Sequence, residues 1–318
     1  MILINHCKEV FLQRNKMDFL TLFVKGTMMG AADAVPGVSG GTIAFITGIY
    51  QELIQTLSKL GPSVLPILYQ QGFAAGWRHI NGNFLGVLLC GMLTSIILLS
   101  NAVLHLLSNY PQMLWGFFFG LICASTVLLS KSIEKWDWLS ASFFILGTAS
   151  AYYLTTLSTT SIEPALTNVF FSGMLAICAM ILPGISGSFI LLLLGMYSYI
   201  LGAVKNFDLL ILGVFSLGCV AGLLCFSKLL SWLFSHYKNI TMALLTGFLL
   251  GSLNKVWPWK ETLTTRLNSH GEQVADLQQN VSPFDYQLIT GIDASLLLAM
   301  LLAVIGAALV LGLEKLSK

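Results

Sequence analysis

Two short stretches concentrate the residues that could do chemistry. The first is AADAVPGVSGGT at 31–42 and the second is LPGISGS at 182–188. In each, a proline and a glycine (Pro36 and Gly37, Pro183 and Gly184) break any helix, because proline removes a backbone donor and glycine frees the chain. A new half-helix then begins, and its first amides lack intrahelical partners at the positive end of the helix dipole. Ser39, Thr42, Ser186 and Ser188 add hydroxyl donors there. Gly40, Gly41 and Gly187 let a ligand approach the backbone. This combination suits an anion, and phosphate above all. The bland alternative is a tight turn whose small residues serve close helix packing.

Three ionisable residues flank the first stretch: Lys25, Asp33 and Glu52. Charge at membrane depth is costly and commonly functional. Lys25 has two readings, a counter-charge for phosphate or a side chain that snorkels to the interface. Asp33, three residues before Pro36, either holds a coupling proton or cation or satisfies free amides of the turn. Glu52 is a second coupling candidate, or an interfacial residue. The second stretch carries Met180 and Tyr199 at the equivalent positions, so acidic groups belong to one motif alone. No catalytic residue is expected, since Ser39 has no evident base beside it and a serine needs one. No metal site is expected either. The histidines and six cysteines show no ligand spacing, and the cysteines read as small core residues rather than a disulfide framework.

The surrounding chain explains where these motifs sit. Charged residues are 9% of the 318, hydrophobic residues 56%, and mean hydropathy is +0.82. A soluble domain averages roughly 25% charged residues, so this chain lacks the surface for water. Stretches at about 84–107, 112–130, 138–157, 209–234 and 294–313 are long enough to span, with a shorter one at 240–257; a span needs about 20 apolar residues. A net charge of +2 gives no reason to expect nucleic acid as a partner. Charges near the amino terminus interrupt any cleavable signal.

The two motifs belong to an internal repeat. From Phe23 and Phe170 onward the chain matches itself without gaps: Gly26 with Gly173, Pro36 with Pro183, Ser39 with Ser186, Gly48 with Gly195, Tyr50 with Tyr197. A weaker match follows, pairing Gly86, Gly91, Gly120 and Ser125 with Gly213, Gly218, Gly247 and Ser252. The expected organisation is one membrane domain over 1–318. Repeat 1 covers 19–157 and repeat 2 covers 166–313, with a polar extracytoplasmic insertion at 258–292.

Each repeat then holds a Pro-Gly-broken segment and three transmembrane helices. The broken segment should give two half-helices of about 14 residues, each roughly 21 Å and too short to cross alone. Positive charge favours a re-entrant path over a crossing, because cytoplasmic loops carry the excess of Lys and Arg. With an inside amino terminus and re-entrant segments, Lys8, Arg14, Lys16, Lys25, Lys59, Arg78, Lys131, Lys135, Lys228, Lys238, Lys315 and Lys318 fall on the cytoplasmic side. Lys205, Lys255, Lys260 and Arg266 fall outside. If both segments crossed, the charges would divide evenly. Three crossings per repeat invert the halves, so the expected fold is an all-α integral membrane protein of two inverted repeats whose broken tips meet near the midplane, as in secondary transporters.

Residues 29–54, MGAADAVPGVSGGTIAFITGIYQELI, together with ILPGISGSFILLLLGMY at 181–197, resemble the bacterial PopT family of polyprenyl-phosphate transporters. The resemblance covers nearly the whole chain. It implies a flippase in the cytoplasmic membrane that returns undecaprenyl phosphate for cell-wall precursor recycling, while both termini are expected inside on the division of positive charge. It implies no cofactor; the partners would be the lipid phosphate, membrane lipids and a coupling proton or sodium ion. Two other classes stay open on the residues. One is an enzyme similar to the membrane undecaprenyl-pyrophosphate phosphatases, although Gly40 and Gly187 stand where their motif has an arginine. The other is a carrier for a small anion.

Overall fold

The computed structural model describes residues 15–33, 38–157, 159–160, 162–267, 273–275 and 278–317. In chain order its helices are α1 (Lys16–Asp33), α2 (Gly40–Ile46), α3 (Tyr50–Ser58), α4 (Val64–Gln71), α5 (Phe73–His79), α6 (Gly82–Asn109), α7 (Pro111–Lys131) and α8 (Trp138–Thr156). There follow α9 (Leu166–Ile181), α10 (Gly187–Leu193), α11 (Tyr197–Lys205), α12 (Leu209–His236) and α13 (Lys238–Ser252). Four short strands come next: β1 (Lys260–Thr262), β2 (Thr265–Leu267), β3 (Gln273–Ala275) and β4 (Gln278–Asn280). The chain closes with α14 (Pro283–Thr290) and α15 (Leu296–Ser317). The strands form two antiparallel pairs, β1 with β4 and β2 with β3.

All five long apolar stretches lie within helices. Three helices are long and apolar enough to cross a bilayer, in the windows Gly82–Leu99, Pro111–Lys131 and Leu209–His236; the bent pair α10 and α11 makes a fourth if it counts as one span. This is a multi-pass membrane protein.

The helix–helix contacts repeat along the chain. α1 packs along α6, and α9 packs along α12. Each seam is closed by two glycines. A Cβ on Gly26 or Gly91 would strike the carbonyl of Leu88 or Phe23, and one on Gly173 or Gly218 would strike that of Phe215 or Phe170. In the same way α7 packs on α15 and α13 on α8, so the last two helices of each half are exchanged with those of the other half. Small residues at such seams bring backbones together where lipid supplies no hydrophobic drive.

The broken segments contain a break not expected from the sequence. Each contains two breaks. After the first break comes a helix of seven residues (α2, α10), then the second, a turn, then a helix of nine (α3, α11). The second turn is made at Gly48 (φ +75°) and Gly195 (φ +69°), a conformation that suits glycine because a Cβ would clash. α10 and α11 meet at a bend of 110°. The pair Gly48 and Gly195 was visible as a repeat match, but as one glycine in an apolar run it carried no signal of a turn.

Candidate functional site

The two motifs touch each other. Ser39 caps α2, its Oγ accepting from the Gly41 amide at 3.1 Å. The same hydroxyl donates to the Met180 carbonyl at 2.9 Å, across 141 residues of sequence. Thr42 Oγ1 accepts from the Gly184 amide at 2.8 Å. Ser39 and Thr42 are 1% and 0% exposed, so both cross-motif hydrogen bonds are shielded from solvent. Gly41 permits the approach, since a Cβ there would lie 2.6 Å from the Ile181 carbonyl oxygen. Pro36 and Gly37 lie outside the described residues. Pro183 and Gly184 make the second turn as expected, with Gly184 at φ +88°.

The start of α2 is closed. The Asp33 carboxylate folds back, and its Oδ1 accepts the Gly40 amide at 2.6 Å. Gly41 gives its amide to Ser39 Oγ and Thr42 to the Ser39 carbonyl. The first three donors of the half-helix are therefore satisfied internally, and a negative group already sits where an anion was expected. Asp33 Oδ2 is buried and has no hydrogen-bond partner among the described residues. A carboxylate oxygen left dry and unpaired is costly.

The start of α10 is open by comparison. Ser186 is its cap residue but makes no side-chain cap bond. Its Oγ lies 2.8 Å from Ser188 Oγ. Among the described residues, no hydrogen bond reaches the amides of Gly187, Ser188 or Phe189. Met180 stands where Asp33 stands in the other repeat, and a thioether offers those amides nothing comparable.

Two expected residues fall elsewhere. Lys25 Nζ donates to the Thr47 carbonyl at 2.8 Å, at the far end of α2 from Gly40. Glu52 accepts from Asn81 Nδ2 at 2.8 Å, where α3 meets the start of α6. The structure also brings forward residues that sequence reasoning treated only as loop charges. Lys255 follows α13, whose Ser252 packs against Gly184; its Nζ lies over the Phe189 ring of α10, 4.6 Å from the centroid. Lys260 Nζ lies 4.2 Å from the Trp115 centroid. The available signal was that Lys255 is an ionisable residue at the end of an apolar stretch.

Known proteins agree with the sequence resemblance. The profile of the undecaprenyl phosphate translocase-like family (VCA0040-like) matches residues 29–274. A protein of Vibrio cholerae named polyprenyl-phosphate transporter is 52% identical over 299 residues, covering 94% of this chain and 97% of its own. A Staphylococcus aureus protein of the same name is 35% identical over 257 residues, covering 74% and 85%. No solved structure matches the chain. With a profile match over most of its length and two relatives at these identities, the chain belongs to the undecaprenyl phosphate translocase-like family.

Proposed function

We propose that this protein carries a polyprenyl phosphate, undecaprenyl phosphate in particular, across the bacterial cytoplasmic membrane. The observation that carries the reading is the buried junction of the two motifs, one half-helix start closed by a carboxylate and the other open with two hydroxyls. A lipid phosphate needs hydrogen-bond donors at its headgroup and a lateral way out for its tail. Ser186, Gly187 and Ser188 supply the donors in the conformation seen. Ser39, Gly40, Gly41 and Thr42 form the second half of the site, which takes the phosphate when Asp33 releases the Gly40 amide. Neutralising Asp33 by a proton or sodium ion would favour that release, and this is the coupling step. Lys25 and Glu52 act at a distance from the junction, holding α2 and α3.

The two repeats are inverted in this reading, with each broken segment re-entrant and the tips in contact at mid-depth. The recurring glycine seams and the exchanged pairing of α7, α8, α13 and α15 support it. So does the division of positive charge, which puts both termini in the cytoplasm. Return of the carrier lipid for cell-wall synthesis is the physiological role that follows. Hydrolysis fits less well. The Ser39 hydroxyl is engaged with a carbonyl and an amide, donating to the Met180 carbonyl rather than to a base.

The test is a proteoliposome assay that follows labelled undecaprenyl phosphate between leaflets, with and without a pH gradient. Protein-dependent flipping is expected, without release of phosphate from a pyrophosphate lipid. Rates equal to empty vesicles would refute the transport reading.

A further inference from the structure

The mechanism above does not use Lys255, which lies over Phe189 beside the second motif, or Lys260, which follows it. Both are partly buried. Among the described residues neither has a carboxylate within ion-pair distance. Lys255 makes no hydrogen bond with its ammonium and is balanced only by the Phe189 ring. The Lys260 ammonium gives one bond to the Lys255 carbonyl, at 2.6 Å, and rests on Trp115. Burying two like charges together without an anion is unfavourable, so the arrangement calls for one.

The platform beneath them is rigid. The Lys255 amide bonds the Ser252 carbonyl, and Lys260 pairs with Asn280 in the β1–β4 ladder. Asn280 Nδ2 ties back to both the carbonyl and the side chain of Asn254, at 2.8 Å each.

Beside this cationic pair runs a groove of about 730 Å³ between α7, α8 and α13. Phe119, Phe144, Tyr152, Leu250, Asn254 and Trp257 are among its walls. Its exposed lining is almost wholly apolar. The two features share their walls. Trp115, beneath Lys260, lies one helical turn from Phe119, which lines the groove and packs edge-on against Trp257. The groove residues Asn254 and Asn280 adjoin Lys255 in sequence and Lys260 in the β1–β4 ladder, so an apolar groove flanked by two cations is complementary to a molecule with an anionic head and a hydrocarbon tail.

We propose that Lys255 and Lys260, with the adjoining groove, form a reception site for the lipid phosphate. The phosphate rests between the two ammonium groups and the first isoprene units lie in the groove. The site is distinct from the motif junction, but Lys255 lies over Phe189, the residue after Ser188, so it would hand the headgroup on to Ser186 and Ser188. Both lysines are among the four cations that the charge distribution places outside, which makes this the point of uptake from the outer leaflet. The inference rests on the transport reading.

Titration of the purified full chain in detergent tests it, using farnesyl phosphate, farnesol and inorganic phosphate as probes. The native protein is expected to bind farnesyl phosphate more tightly than either of the others. Each lost charge-assisted contact is worth about tenfold, so Lys255→Gln should weaken farnesyl phosphate by that factor, and the Lys255→Gln, Lys260→Gln pair by more. Farnesol should be unaffected by both. Since the substitutions remove buried charge, the melting temperature of the ligand-free variants should hold or rise, whereas a purely structural role predicts a fall. Unchanged farnesyl phosphate affinity in the folded double variant would overturn the reception site and leave the transport reading standing. Equal affinity of the native protein for inorganic and farnesyl phosphate would overturn the lipid part of the proposal. Failure of the native protein to prefer farnesyl phosphate over farnesol would overturn the transport reading itself.

Discussion

The half-helix starts of α2 and α10 descend from one sequence pattern and end in opposite electrostatic states. At α2 the Asp33 carboxylate occupies the position of an anion and closes the backbone donors. At α10 the equivalent residue is Met180, and among the described residues the donors have no partner. The Asp33/Met180 difference between the repeats thus accompanies a half-helix start closed by a carboxylate in one and open in the other. The difference teaches that a repeated motif need not mean a repeated role. In the proposed function one copy carries a removable internal anion while the other presents donors to an external one.

The sharpest way to break this comparison is to exchange the two residues. Met180→Asp places a carboxylate beside Gly187 and should close α10 as Asp33 closes α2, removing most lipid-phosphate transport. Met180→Leu, which keeps the apolar volume, should leave it near normal. Equal activity in the two variants would show that the open state of α10 is irrelevant to transport. Asp33→Asn works from the other side. Its amide oxygen can still accept the Gly40 amide, but it holds no charge and takes no proton. Folding should persist, while flipping becomes independent of the pH gradient and net return slows. Normal transport with unchanged pH dependence would move the coupling role away from Asp33.

The serines give a smaller effect. Ser186→Ala and Ser188→Ala should each weaken lipid-phosphate binding by about 0.5–1.5 kcal/mol, the net worth of a hydrogen bond, or rather more to a charged acceptor. Ser39→Ala instead removes a helix cap and a tie between the motifs, so it should cost about 1 kcal/mol of stability. Thermal melts read alongside binding separate the two patterns, and a reversed pattern would exchange the roles assigned to the two turns.

The smallest effect is one of pH. Burial, with the neighbouring charge of Lys255, pushes Lys260 down from its ordinary 10.5 to about 7. The unfolded chain therefore holds more protons than the folded one between these values, and folding stability should rise as pH climbs from 7 towards 10. Phosphate binding needs the ammonium form, so headgroup affinity should fall over the same range. A phosphomonoester is already largely dianionic there, with its second pKa at about 6. Opposite slopes for melting temperature and affinity are the expected signature. Lys260→Gln should flatten both, and persistence of both slopes would assign them to another group.

Much of this protein was legible in its sequence. Low charge and long apolar runs establish a membrane protein, because hydrocarbon tolerates little else. The two Pro-Gly breaks and their repeat are legible because proline and glycine act locally, within a turn of where they stand. Tertiary structure decided what lies opposite each break. Asp33 reaches Gly40 over seven residues, Ser39 reaches Met180 over 141, and Thr42 reaches Gly184 over 142. Whether a free amide stays free depends on which side chain folds onto it, and no local pattern reports that. Lys255 and Lys260 make the same point. As a sequence they are two cations at the edge of a loop; the fold sets one over Phe189 and the other over Trp115 and leaves both without a counter-ion among the described residues. Composition and periodicity depend on solvent and on neighbours in the chain, whereas the electrostatic state of a site depends on neighbours in space.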